Sequence, residues 1–157
     1  MTLRGIKGCT DSYIWYNRIR VKSIGGEYDK NQFSDCQKTC EEIIKTNPEN
    51  AVALRGLGCI AQIKGEFSKA VKFYEKALQT SKNKEIEYTL IGTVYYLQND
   101  LEKAIENYNL AIQINENYEQ AYEGRNQSML ENHLKILDLQ DSLIEQELRS
   151  YWLQKNI

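Results

Sequence analysis

Two stretches of this chain repeat one another at an offset of 34 residues. A sequence period of that length is the signature of a helical repeat array, in which each repeat packs only on its neighbours. Such arrays act by presenting an extended surface to other proteins. The corresponding residues are Leu57 and Ile91, Gly58 and Gly92, Ala70 and Ala104, Tyr74 and Tyr108, Ala77 and Ala111, and Leu78 and Ile112.

Each stretch is predicted to form two helices joined by a tight turn. In AVALRGLGCIAQIK and EIEYTLIGTVYYLQ, apolar residues recur every three or four positions, which is the helical period. Gly65-Glu66 and Asn99-Asp100 then interrupt the pattern as turn residues do, and the helical period resumes after each pair. Gly58 and Gly92 each cost about 1 kcal/mol of helix propensity. We therefore expect them to allow close approach of the two helices.

These residues resemble the tetratricopeptide repeat family, with one unit at 51–84 and another at 85–118. The resemblance implies an all-α fold, a right-handed superhelical stack of antiparallel helix pairs in a single domain over 1–157. Residues 11–50 are predicted to form a degenerate first repeat, with a helix from Ser12 to Ser23, because Gly25-Gly26 interrupts the family pattern there. Residues 119–157 are predicted to form a long capping and extension helix.

The resemblance also implies a concave groove lined by the first helix of each unit. A groove of mixed polarity with an apolar centre suits an amphipathic helix or an extended segment. The alternative is that the N-terminal segment or the C-terminal helix of the chain itself fills part of this groove. The predicted groove residues are Val52, Arg55, Cys59, Gln62, Ile86, Thr89, Leu90, Thr93, Tyr96, Gln120, Glu123 and Gln127.

One branch of the family binds the acidic C-terminal tails of heat-shock chaperones with a clamp of Lys, Asn and Arg. Of the five equivalent positions in this chain, only the one occupied by Arg55 holds a residue of the clamp type. The sequence therefore argues against binding of chaperone tails. The five positions are occupied by Arg55, Cys59, Leu90, Gln120 and Gly124.

The C-terminal segment carries two apolar stripes, where a simple capping helix needs one. Leu148, Tyr151 and Trp152 lie near its end, and Tyr and Trp are favoured interface anchors. This predicts a contact with another chain. The alternative is a helix that bends back and covers the last unit with both stripes. Heptad pairing into a dimer is less well supported, because Asp141 interrupts the seam.

Composition excludes several other functions. The net charge of -2, with mixed signs, gives no basic surface for nucleic acid. No apolar run approaches the roughly 20 residues that span a bilayer. His133 is the single histidine, and no nucleophile motif, phosphate-binding loop or metal-ligand spacing accompanies it. We therefore predict no enzyme activity, no cofactor and no metal.

The cysteines and the N-terminus bear on the compartment. Cys36 and Cys40 lie four apart, as half a metal site or a redox pair would, but both occupy positions where small packing residues belong. We expect the four cysteines to be free thiols, which favours a reducing, intracellular environment, most simply the cytoplasm. The basic N-terminus lacks a secretory apolar region, but leaves an organelle such as the mitochondrion as an alternative.

Together these features predict a protein–protein interaction module without chemistry of its own. The first hypothesis is a small scaffold or accessory structural subunit of a larger complex. The alternative is a peptide-binding adaptor or assembly chaperone that engages client segments in the groove.

Overall fold

The computed structural model describes residues 30–155, which form six α-helices and no strand. This all-α architecture confirms the predicted fold class. The predicted helix from Ser12 to Ser23 lies outside the described residues. The helices are α1 (Lys30–Thr46), α2 (Ala51–Ile63), α3 (Phe67–Thr80), α4 (Lys84–Leu97), α5 (Leu101–Ile114) and α6 (Glu119–Lys155).

The helix boundaries follow from local chemistry. The side chain of Asn50 accepts a hydrogen bond from the amide of Ala53 at 3.0 Å and so caps the start of α2. Gly65 has a φ of 75° in the turn to α3, and Asn99 has a φ of 65° at the equivalent place between α4 and α5. Glycine adopts this left-handed conformation without strain, and asparagine tolerates it better than most residues.

Each helix pair closes around a tyrosine that packs on a glycine. Tyr74 on α3 is fully buried against Gly58 on α2, and Tyr108 on α5 lies against Gly92 on α4. A Cβ atom at Gly92 would come within 3.0 Å of the Tyr108 ring. The predicted role of both glycines is therefore confirmed. The alanines that correspond between the two repeats are also fully buried: Ala70, Ala77, Ala104 and Ala111.

The pairs α2–α3 and α4–α5 stack through α3 on α4, while α1 packs on α2 and α6 packs on α5. At the N-terminal end of the stack, Cys40 is 1% exposed. A Cβ atom at Gly56 would come within 2.7 Å of its sulfur. Cys40 thus fills a packing position, as predicted.

The last helix, α6, is 37 residues long, or about 55 Å at 1.5 Å per residue. Only its first part caps the stack: Ala121 and Ser128 are fully buried, and Gly124 packs against the Tyr108 ring. Farther along α6, Lys135 donates a hydrogen bond to Asn99 Oδ1. Beyond Lys135 the helix continues to Lys155, and the side chains of residues 136–152 are exposed. The helix does not bend back over the last unit.

Candidate functional site

The structure places the predicted groove residues at three levels of exposure. Those buried in the packing between units are Arg55, Gln62, Thr89 and Leu90. Those half-buried are Cys59, Ile86, Thr93, Tyr96 and Gln120, and those exposed are Val52, Glu123 and Gln127. A partner that approached this surface would therefore contact the exposed residues Val52, Glu123 and Gln127 more readily than the buried groove residues between them. That any of these residues binds a partner stays a prediction.

Arg55 is buried because it forms an ion pair across the interface between two units. Its Nε and Nη2 atoms donate to Glu87 Oε1 at 2.8 and 2.5 Å. Arg55 is 8% exposed and Glu87 is 0% exposed. Within residues 30–155, the second carboxylate oxygen of Glu87 has no hydrogen-bond partner. The charge of Arg55 is thus neutralised internally and is not displayed in the groove.

The sequence analysis did not identify Glu87 as important, although a signal was present. Glu87 lies 34 residues after Ala53 and 34 before Ala121, and both alanines are fully buried. A carboxylate at a position that is otherwise small and buried requires a cationic partner. The nearest cation on the equivalent turn of the preceding unit is Arg55, so repeat alignment predicts this pair.

Hydrogen bonds also occupy the polar groups in the middle of the row. Tyr74 Oη donates to Gln62 Oε1 at 2.9 Å and lies 3.4 Å from Cys59 Sγ. Burial, followed by the neighbouring Cys59, raises the pKa of the Tyr74 hydroxyl well above its usual value, so the hydroxyl remains a proton donor. In the next unit Tyr108 Oη lies 3.2 Å from Thr93 Oγ1. These contacts hold the groove side chains to their own array.

The cysteines differ from the expectation of four free thiols. Cys40 and Cys59 carry free thiols, and burial raises the pKa of Cys40. Cys36, however, is disulfide-bonded. Because Cys40 is free, the two do not form a redox pair with each other. The free-thiol argument for a reducing compartment therefore fails at Cys36, and the compartment stays a prediction.

A second candidate surface lies on α6, between Met129 and Trp152. Its large apolar side chains are about half-exposed or more, from 43% at Leu137 to 65% at Leu139. Leu148, Tyr151 and Trp152, predicted as interface residues, are 54%, 52% and 63% exposed. The other exposed members are Met129, Leu130, Leu134, Ile136, Leu143 and Ile144. Soluble domains rarely expose so many apolar side chains side by side unless the surface binds something.

Two further properties concern residues 30–155 only. No helix there combines the length and apolar character needed to span a bilayer. No three acidic, histidine or cysteine side chains in this part of the chain are arranged to hold a metal ion.

The helix pairs, their glycine–tyrosine packing and the capping helix define a helical-repeat protein of the kind that binds other proteins. The family description "Tetratricopeptide repeat" matches residues 56–84 and 86–118. Residues 56–118 thus carry two tetratricopeptide repeats, as the resemblance predicted.

Among solved structures, 53 chains match this one. The crystal structure of MamA aligns with a TM-score of 0.55 and 21% sequence identity, over 63% of this chain and 58% of that chain. At this identity the likeness shows the fold alone. The aligned part spans less than two-thirds of MamA. No curated protein matches the sequence.

Proposed function

We propose that this protein is a small scaffold or accessory structural subunit that joins a larger complex through its C-terminal helix. The observation that carries the proposal is the row of exposed apolar side chains on α6 beyond Lys135. Burial of apolar surface favours assembly by about 25 cal/mol per Å² before the costs of association are subtracted. An attachment of this kind is permanent rather than transient when it buries a large apolar area.

The groove gives weaker support to the alternative, a client-binding adaptor. Adaptors of this family bind through side chains displayed in the groove, but Arg55 is paired with Glu87 and Gln62 accepts from Tyr74. A client would have to displace these bonds, and each displacement leaves a buried polar group unsatisfied.

We infer that the protein acts by binding and not by catalysis. The buried ionisable pair of the array, Arg55 and Glu87, is closed off from solvent. Neither group is therefore positioned to exchange a proton with a substrate.

Co-fractionation of tagged variants from the native source tests the proposal. We expect the full chain to recover a fixed set of near-stoichiometric partners, and truncation after Leu139 to release them. The variant Gln127→Arg, at an exposed groove position, should leave the complex intact and serves as the matched control. Leu90→Glu is unsuitable because Leu90 is 6% exposed and the change would perturb folding.

The opposite pattern would support the adaptor. In that case the truncated chain co-fractionates unchanged, while Gln127→Arg or Thr93→Arg loses substoichiometric clients with helicity intact. Circular dichroism of each variant separates loss of binding from loss of structure.

A further inference from the structure

The exposed residues of α6 include one continuous stripe in heptad register, called here the seam. Its members follow spacings of four and three and begin two residues after the buried Ser128. In coiled coils such a stripe receives the side chains of a second helix. The seam consists of Leu130, Leu134, Leu137, Asp141, Ile144, Leu148 and Tyr151.

The seam continues the groove face of the capping part of α6. The same spacing, followed towards the N-terminus, passes through Gln127 and Glu123, both predicted groove residues. Gln127 Nε2 donates to Tyr96 Oη on α4 at 2.9 Å, so this side of α6 borders the groove. A helix bound along the seam would therefore extend towards the groove residues Glu123 and Gln127.

The charges beside the seam have one sign. One flank carries Glu131, Asp138 and Glu145, and the other carries Glu147. No lysine or arginine occupies a flanking position between 130 and 151. The uncharged flanking residues in this range are His133 and Gln140, and Trp152 follows it directly. Lys135 and Arg149 lie about 130° around the helix from the midline of the seam, farther away than the flanking positions. Charges on the flanks of a seam determine which partner pairs with it.

This pattern disfavours pairing with a second copy of the chain. In a parallel pair, Asp141 would face Asp141 inside the seam, and two carboxylates cannot both remain ionised there without a large cost. In an antiparallel pair, the flank of Glu131, Asp138 and Glu145 would face itself. Like charges in such positions are a recognised means of excluding a wrong partner.

We propose that the seam binds an amphipathic helix of a different protein, one with an aliphatic stripe, basic flanks and a lysine or arginine opposite Asp141. The proposal rests on the proposed function, because it specifies the partner chemistry of the attachment. The basic flanks pair with the acidic flanks of α6, and the opposing cation neutralises the one charge within the seam.

Fluorescence anisotropy of two labelled synthetic helices with the full chain tests this. Both peptides carry a leucine stripe; one has lysine at its flanks and at the position facing Asp141, and the other has glutamate at those places. We expect the lysine peptide to bind at least about tenfold more tightly, equal to about 1.4 kcal/mol. The preference should shrink as salt screens the exposed charges.

Two pairs of variants locate the effect. Asp138→Asn/Glu145→Gln/Glu147→Gln should abolish the preference, whereas Ser142→Lys/Gln146→Lys/Ser150→Lys, with the same change in net charge away from the flanks, should keep it. Leu148→Glu in the seam should abolish binding, whereas Gln146→Glu, exposed on the opposite side of the helix, should preserve it.

Equal binding of both peptides, or a preference that survives neutralisation of the flanks, overturns the proposal. Sedimentation of the full chain provides a further test, since self-association lost in Leu148→Glu would make a second copy the occupant. Failure here is distinct from failure of the subunit role. If truncation after Leu139 releases the complex but the peptides bind equally, the chain is a subunit with a different partner chemistry.

Discussion

The Arg55–Glu87 pair shows how one residue can change the role of another. Glu87 occupies a position that holds alanine in the units on either side, and its carboxylate is fully buried. Burying a charge is costly unless a partner neutralises it. The pair therefore links two units, and Arg55 contributes to structure where a groove cation was expected.

Removing one partner should cost more than removing both. We expect Arg55→Met to lower the free energy of unfolding by about 3–5 kcal/mol, because Glu87 would remain buried without a counter-charge. The double variant Arg55→Met/Glu87→Met should regain most of that loss, since apolar residues of similar volume often replace buried ion pairs without penalty. Urea unfolding of the wild type, both single variants and the double variant measures the coupling. Equal losses in the single and double variants would contradict it.

At the scale of helices, the glycine–tyrosine contact determines how closely each pair packs. The contact is tighter in the first pair than in the second: a Cβ atom at Gly58 would overlap the Tyr74 ring, whereas at Gly92 it would stand 3.0 and 3.1 Å from Tyr108 ring carbons. A buried tyrosine ring has little room to move in a close-packed interior. The two repeats therefore differ in how well they tolerate a larger side chain at the glycine, although their sequences correspond.

We expect Gly58→Ala to destabilise the protein by about 1–3 kcal/mol through overpacking. Gly92→Ala should cost less, because the gain in helix propensity of about 1 kcal/mol offsets a milder contact. Thermal unfolding followed by circular dichroism compares the two variants. In a Tyr74→Leu background the penalty of Gly58→Ala should shrink, and a penalty unchanged in that background would point to backbone strain instead.

The sequence predicted the helices and turns better than it predicted which side chains are exposed. The helix pairs, their turns and the glycine–tyrosine contacts follow from a period that two stretches share in register. The burial of Arg55 did not follow, since it depends on Glu87, a departure from the repeat. The disulfide at Cys36 was missed for a similar reason, because cysteines in a repeat position look like packing residues. The length of α6 was expected, but only the structure shows that its far part leaves the stack.

At the scale of the whole molecule, stability should reside in the stack and not in the projecting helix. Residues 136–152 expose their described side chains to solvent, so their removal uncovers no core. We expect truncation after Leu139 to shift the melting temperature by no more than about 2 °C, as for surface changes worth roughly 0.5 kcal/mol. Differential scanning calorimetry measures this shift.

Truncation after Tyr118 provides the control. It removes all of α6 and so exposes the face of Tyr108 that Gly124 covers, and terminal repeats of such arrays require a cap. We expect a large fall in melting temperature for this variant. If both truncations were equally harmless, α6 would not cap the stack.

In the described part of the chain, extensive contacts join only helices that follow one another, apart from those between α4 and α6. Loops closed by such contacts are short, and proteins with this property fold quickly. Each pair can also close on its own tyrosine before the next pair has been synthesised. We therefore expect the array to assemble from its N-terminal side as it leaves the ribosome. The apolar end of α6 then emerges after the stack that precedes it has formed.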